Sequence, residues 1–360
     1  MSAATRRRLL AAGTAAGTLG APAVLRAQTP LRWRMVTSWP RNLPGPGMNA
    51  QRLADRIARM SGGRLMVQLY AAGELVPALQ VFDAVYSGAA EMAHTASFYW
   101  AGKVKAASFF TTVPFGLTPA EHAAWIEHGG GQALWDELYA SFGIKPFMAG
   151  NSSFQMGGWF KRELKGLADL EGLKLRSAGL GGELFQRLGA VTVAMGVPDI
   201  YPALQNGTID GVEFLGPASD LAAGFHQVAK FYYWPTFTKP NGTAECLVGL
   251  GAWQSLPDDL KAVVANACAA ENAYTLAEAD WRDGQALATL VEQHGVQLRR
   301  WPADIVAAAR RASEEILAGF TAGSDLDRRI QRSYQEARQR IESWSRVSAE
   351  AYLGSRGGGA

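Results

Sequence analysis

Histidine and cysteine, the side chains most often used for metal and nucleophilic chemistry, are scarce here: five and two in 360 residues. His94, His122, His128, His226 and His294 are scattered without an i, i+4 pair, and the chain has no Gly-x-Ser-x-Gly elbow and no phosphate-binding loop. Each histidine therefore reads as a surface or core residue, and the usual hydrolase and nucleotidase signatures are missing. Cys246 and Cys268 are too few for a disulfide scaffold and lack zinc spacing. An oxidising compartment permits a bridge between them and a reduced pair of buried thiols is the alternative; the sequence does not decide. A dominant charge sign is also lacking, since 35 Lys+Arg against 32 Asp+Glu gives a formal +3, which predicts no nucleic-acid partner. Beyond the first 27 residues no stretch reaches ~18 uninterrupted apolar residues, so a soluble mature chain is expected.

What is present begins with a leader. Thr5-Arg6-Arg7-Arg8-Leu9-Leu10 precedes a small-residue apolar run to Leu25 and then Arg26-Ala27, the layout of an export signal, and Arg6-Arg7 has the twin-arginine form. Residues 1–27 are read as this signal peptide, which predicts a periplasmic protein. Four of the basic residues lie in it and no acid does, leaving 31 basic against 32 acidic residues downstream. With 48% hydrophobic and 19% charged residues, the remainder can bury a large core, and its length predicts two lobes.

The periodicity is α/β. Leu31, Trp33 and Met35 alternate with Arg32 and Arg34 as a strand, Leu53, Ile57 and Met60 share a helix face over 48–60, and Leu65, Val67 and Leu69 alternate again. A helix from Pro77 to Tyr86 follows, and the continuing alternation predicts layers with parallel strands. Phe82-Asp83-Ala84-Val85-Tyr86-Ser87-Gly88-Ala89-Ala90-Glu91 lines up with Tyr201-Pro202-Ala203-Leu204-Gln205-Asn206-Gly207-Thr208-Ile209-Asp210. Both read as a helix ended by a left-handed glycine before a strand, a pattern that suits two lobes of one plan around a ligand cleft. Asp325 to Leu353 is polar and helix-forming with Ile330, Tyr334, Ala337 and Ile341 as an apolar stripe. At about 29 residues it would reach roughly 44 Å, longer than one small lobe is wide. The end of the chain, 354–360, is expected to be disordered.

The most informative stretches are Asn151-Ser152-Ser153-Phe154-Gln155-Met156-Gly157-Gly158-Trp159-Phe160, Gly172-Leu173-Lys174-Leu175-Arg176, Gly179-Leu180-Gly181-Gly182-Glu183 and Asp210-Gly211-Val212-Glu213-Phe214-Leu215-Gly216-Pro217. With Tyr99-Trp100-Ala101-Gly102-Lys103 and Tyr232-Tyr233-Trp234-Pro235, they resemble the periplasmic solute-binding proteins of tripartite ATP-independent (TRAP) transporters, DctP-type, in the branch that captures 2-oxo and 2-hydroxy monocarboxylates with a cation. The resemblance covers essentially the whole mature chain. It implies a two-lobed α/β periplasmic-binding fold with hinge strands, with 28–153 and 242–300 in lobe 1, 154–241 and 301–323 in lobe 2, and a C-terminal helix over 324–353. It also implies a non-catalytic protein that delivers a small carboxylate to the permease subunits of the transporter, and some members of the branch dimerise through that helix. A lyase or dehydrogenase using the same cleft, or a sensor module presenting ligand to a membrane kinase, are the alternatives; no histidine falls in the ligand motifs to act as a general base.

Arg176 ends a short strand just before a run of glycines, where a guanidinium can meet a carboxylate in two parallel hydrogen bonds. The resemblance gives the matching arginine this role. Tyr99 is a candidate donor to the ligand. Gln155, Glu213 and the carbonyl of Phe214 match the oxygens that hold Na+ or Ca2+ beside the substrate in the resembling proteins, and the branch often has tryptophan where Phe214 stands. Glu245 falls where the branch has a further acid, although Lys239-Pro240-Asn241-Gly242 departs from the usual pattern. Two glutamates, one ligand carboxylate and Arg176 leave a charge that a divalent ion balances, which favours calcium.

Overall fold

The computed structural model describes residues 29–356; the expected leader over 1–27 lies outside them, as do 357–360. The chain first lays down β1 (Leu31–Thr37), α1 (Pro46–Met60), β2 (Leu65–Tyr70), α2 (Val81–Tyr86), β3 (Met92–Thr95), α3 (Pro119–His128), α4 (Gly131–Ala140) and β4 (Ile144–Asn151). It then builds β5 (Gly158–Phe160), β6 (Lys174–Arg176), α5 (Gly179–Arg187), β7 (Val191–Val193), α6 (Val197–Asn206), β8 (Gly211–Val212), α7 (Pro217–Ala222) and β9 (Phe231–Trp234). Finally come β10 (Thr243–Gly249), α8 (Leu250–Ser255), α9 (Asp258–Glu292), β11 (Gln297–Arg300), α10 (Ala303–Ala318), α11 (Asp325–Ser345) and α12 (Ala351–Arg356).

Two sheets result, ordered β2-β1-β3-β10-β4 and β11-β9-β5-β8-β6-β7. The alternating strand over 31–37 pairs in parallel with β2, Leu31 opposite Leu65, and β3 lies parallel on its other side. The sheets are mixed rather than parallel throughout: β10 runs antiparallel to β3 and β4, and β5 runs antiparallel to β8 and β9. Both exceptions are strands that return after crossing between sheets, and they need no right-handed helical crossover. β11 also departs from expectation. Placed with the first lobe by the resemblance, it pairs in parallel with β9 in the second sheet. The cause is α9: at 35 residues it spans about 52 Å and carries the chain from one lobe to the other before β11 starts.

The internal similarity has its structural counterpart. α2 and α6 are each followed by a glycine in the left-handed region, Gly88 at φ 75° and Gly207 at φ 83°, before β3 of one sheet and β8 of the other. Apolar residues fill both faces of the first sheet, with Met35, Met92 and Val248 towards one side and Val36, Ala93 and Leu247 towards the other. In the second, Trp159 stacks on Tyr232 at 4.0 Å between ring centroids. Cys246 and Cys268 are buried free thiols in the first lobe.

The C-terminal helix divides in two. Ile330 and Tyr334 are buried, and the Tyr334 hydroxyl accepts the Leu117 N–H at 2.8 Å. Past a turn of π-helix at Arg346–Glu350 the chain stays helical through Arg356, so the order break expected at 354 is not there. Trp344 and Val347 on this outer half are 68% and 69% exposed. Among the described residues no helix is long and apolar enough to cross a membrane.

Candidate functional site

A narrow, partly enclosed cavity lies between the two sheets. Tyr99, Asn151 and Thr243 line it from the first lobe and Gln155, Arg176 and Phe214 from the second, while Thr275 and Asp283 of α9 form part of a wall. α9 was not legible as a cleft element, because its lining residues are ordinary polar positions of a long helix.

Arg176 sits at the end of β6 as its alternation predicts, with Lys174 exposed beside it and Leu175 in the core. The guanidinium is itself buried. Nη1 donates to the Glu213 carbonyl at 2.7 Å, and Nη2 donates to the Tyr99 hydroxyl at 3.0 Å and the Met195 carbonyl at 3.4 Å. Its Nε has no hydrogen-bond partner among the described residues. A buried N–H on a fixed cation is expensive to leave unpaired, so this is a donor waiting for an anion. Tyr99 accepts from Arg176 and keeps its own proton free to give. Gln155 presents the matching case: Nε2 donates to Ser152 Oγ at 2.9 Å and the buried Oε1 is unpaired. The side chain reaches in because position 242 is glycine, where a Cβ would stand 2.4 Å from Gln155 Nε2 and 1.8 Å from Ser152 Oγ.

Glu213 lies behind Arg176, fully buried, and its two carboxylate oxygens accept the hydroxyls of Ser177 and Thr238. The carbonyl of Phe214 is also engaged, because Lys239 Nζ donates to it at 3.0 Å. Lys239 is buried; desolvation pulls its ammonium down to about 8, and nearby Glu213 acts against that fall. As these side chains stand, they do not fit a resident hard cation, which needs several free oxygens. Gln155 Oε1 is free, but both Glu213 carboxylate oxygens accept hydroxyls and the Phe214 carbonyl accepts the Lys239 ammonium. The departure from pattern at 239–242 was the one signal of this in the sequence.

Glu245 is elsewhere. Thr243 and Ala244, at the start of β10, line the cavity, but Glu245 turns onto the sheet face packed by aromatic rings. There its carboxyl accepts Trp100 Nε1 at 2.7 Å and the Tyr139 hydroxyl at 3.1 Å, with no cation beside it among the described residues. Burial pushes it up to about 8, so it is mostly protonated at neutral pH and its charge leaves the sum that favoured calcium. Phe154 is exposed and Trp159 is core, donating to Asp220 at 2.8 Å.

The two fully buried histidines, His94 and His122, are structural. Trp39 Nε1 donates to His94 Nδ1 at 2.9 Å, which leaves His94 Nε2 to donate to the Ala149 carbonyl at 3.1 Å. His122 is held between the Phe109 carbonyl and the Thr243 hydroxyl. Burial pulls both down to about 4, so neither offers a charged or free imidazole to the cleft.

Comparison with known proteins agrees with this architecture. Residues 37–323 match the family described as DctP, bacterial extracellular solute-binding protein, family 7. A monocarboxylate 2-oxoacid-binding periplasmic protein from Nostoc sp. is 39% identical over 322 residues, 89% of this chain and 88% of the relative. Among solved structures, a TRAP transporter solute-binding protein from Bordetella bronchiseptica, a mixed-occupancy dimer with calcium and picolinate, superposes with a TM-score of 0.89 at 34% identity, covering 91% of this chain and 97% of that one. Another, from Pseudoalteromonas atlantica with bound sodium and pyruvate, gives 0.88 at 36% identity, covering 91% and 99%. This chain belongs to the family 7 bacterial extracellular solute-binding proteins, the TRAP transporter solute-binding proteins, whose family and fold are those of substrate-binding proteins and not of enzymes.

Proposed function

We propose that the cleft captures a small 2-oxo or 2-hydroxy monocarboxylate in the periplasm, after export directed by the leader, and that the protein hands it to the membrane permease with which TRAP solute-binding proteins work. The observation that carries this reading is the convergence of an unpaired, buried Arg176 Nε, an unpaired Gln155 Oε1 and the Tyr99 hydroxyl in one cleft between two lobes. The guanidinium takes the carboxylate, and Tyr99 and Gln155 face the 2-oxygen: the first donates to a carbonyl or hydroxyl, and the second accepts from a 2-hydroxyl. Phe214 adds an apolar wall, its ring centroid 5.8 Å from Arg176 Cζ. Sodium or calcium accompanies the carboxylate in the two similar structures described above. The residues that correspond to a cation site here, Gln155, Glu213 and the Phe214 carbonyl, do not fit one while Lys239 holds that carbonyl.

The exposed outer half of the C-terminal helix is the surface through which a second copy would dock. Trp344, Val347, Tyr352 and Leu353 leave an apolar face uncovered by the chain's own lobes, and the Bordetella relative is a dimer.

The test is calorimetric titration of pyruvate into wild type and Arg176→Lys. A point charge cannot reproduce a planar fork, so affinity should fall at least about tenfold. Unchanged affinity would remove Arg176 from the site.

A further inference from the structure

We propose that the ammonium of Lys239 takes the place of a metal cation in this binding protein, so that ligand capture needs neither sodium nor calcium. The carbonyl expected to face the metal, that of Phe214, accepts Lys239 Nζ at 3.0 Å. The neighbouring carbonyl, that of Glu213, accepts Arg176 Nη1 at 2.7 Å, so two consecutive carbonyls each meet a fixed positive side chain.

Lys239 is not a surface lysine resting in the cleft for want of a metal. It is 5% exposed, and its backbone N–H donates to Thr236 Oγ1 at 3.1 Å. On one side of it Thr238 donates to Glu213, and on the other Asn241 Nδ2 donates to the Thr111 carbonyl at 2.7 Å. The segment that delivers the ammonium is therefore anchored at several points. A metal bound to the same carbonyl would lie a few ångströms from Nζ in a water-poor site, where like charges repel most strongly.

Charge accounting agrees. Buried Glu213 gains from a nearby cation, and Lys239, held on the Phe214 carbonyl, supplies one without touching the carboxylate. Arg176 is then left for the ligand's carboxylate, and these four groups, Glu213, Lys239, Arg176 and the ligand, balance without a metal. Asp220, the next carboxylate, already accepts from Trp159 Nε1 at 2.8 Å, Tyr232 Oη at 2.7 Å and the Leu215 N–H at 3.1 Å.

The inference rests on the monocarboxylate reading only for its ligand arm, and two measurements keep them apart. In the first, calcium alone is titrated into chelator-treated, sodium-free full-length mature protein. Wild type should show no saturable binding, whereas Lys239→Glu, which adds a carboxylate where the ammonium stood, should gain it. Circular dichroism melts confirm that the variant folds, and Lys239→Met serves if it does not. Saturable calcium binding to wild type overturns the proposal, whatever pyruvate does. In the second, pyruvate is titrated with and without calcium or 100 mM-range sodium. Wild-type affinity should change less than about twofold, and Lys239→Met should lose at least about tenfold without metal and recover with it. A tenfold loss for wild type on metal removal overturns the proposal. Failure of pyruvate to bind under any condition overturns the ligand reading instead, and the calcium titration then decides the role of Lys239.

Discussion

Glu213 and Glu245 are both fully buried, and each accepts two side-chain donors, yet their surroundings are opposites. Glu245 has a tryptophan and a tyrosine for company inside the first sheet, and with no positive group in reach it is pushed up to about 8. Glu213 stands among Arg176, which bonds its own carbonyl, and Lys239, which bonds the next. Two neutral donors do not offset the cost of burying the Glu245 carboxylate. Which groups a fold brings beside a buried acid therefore decides what that acid can do: the floor of the cleft brings two cationic side chains near Glu213, and the core of the first sheet brings only neutral donors to Glu245.

The largest effect should come from removing the charge at the cleft floor. Glu213→Gln removes the carboxylate near the buried Lys239 ammonium, which the Phe214 carbonyl still accepts, and should cost about 1–3 kcal/mol. Deprotonation of Lys239, already lowered by burial, limits the loss. Urea unfolding at pH 7 measures it, and a change below about 0.5 kcal/mol would mean that Glu213 does not stabilise the Lys239 ammonium.

Glu245→Gln should do the reverse at alkaline pH. The folded carboxyl titrates at about 8 and the unfolded one in the ordinary range near 4.5. Between those values the folded state holds a proton that the unfolded state has lost, so this group's stabilising contribution is complete below about pH 4.5 and gone above about pH 8. The glutamine variant has no such slope and should be more stable than wild type at pH 8.5 by roughly 3 kcal/mol or less. Subtracting its pH–stability profile from that of wild type isolates Glu245 from Asp220 and Asp283, which burial also raises, to about 6 and about 7. Pyruvate affinity should not move; a tenfold fall would return Glu245 to the ligand set.

This contrast also marks how far the sequence could be read. β1, α1 and β2 were legible because their apolar spacing is that of a half-buried strand or an amphipathic helix. The motifs place Arg176 and Gln155 in a ligand segment, and both line the cavity. Glu245 was misplaced because chain position near a ligand segment does not say which sheet face a side chain takes, and the ring-packed face is built by Trp100 and Tyr139, more than a hundred residues away. Lys239 was noticed only as part of a break in pattern. Its meaning depends on the Phe214 carbonyl, 25 residues earlier, and backbone carbonyls leave no trace in a sequence. β11 was assigned to the wrong sheet because nothing in a uniformly helical run such as α9 announces where it crosses from lobe to lobe.

A smaller effect is expected at Tyr99, which bridges the lobes by accepting from Arg176. Tyr99→Phe removes one neutral hydroxyl while leaving the Arg176, Glu213 and Lys239 charges in place. Pyruvate affinity should fall about three- to tenfold, in line with a single hydrogen bond of about 1 kcal/mol. A hundredfold loss would show that the tyrosine does more than donate, and that the charged floor is not the main determinant.

The smallest effect on the cleft should come from its farthest point, the outer half of the C-terminal helix. Shortening at the helix start would not test this, because Ile330 and Tyr334 belong to the core and Tyr334 accepts from Leu117. Trp344→Ser with Val347→Ser instead removes exposed apolar surface and leaves the packed half of α11 intact. Solvent-exposed positions contribute little to monomer stability, so the melting temperature of the monomer should stay within a few degrees. If a second copy docks on this face, light scattering at micromolar concentration should show a dimer for wild type and a monomer for the double variant, both with the same pyruvate affinity. A wild-type monomer would remove the dimer. A drop in affinity that accompanies dissociation would mean that the partner copy supports the cleft and that the charged floor around Glu213 is not sufficient by itself.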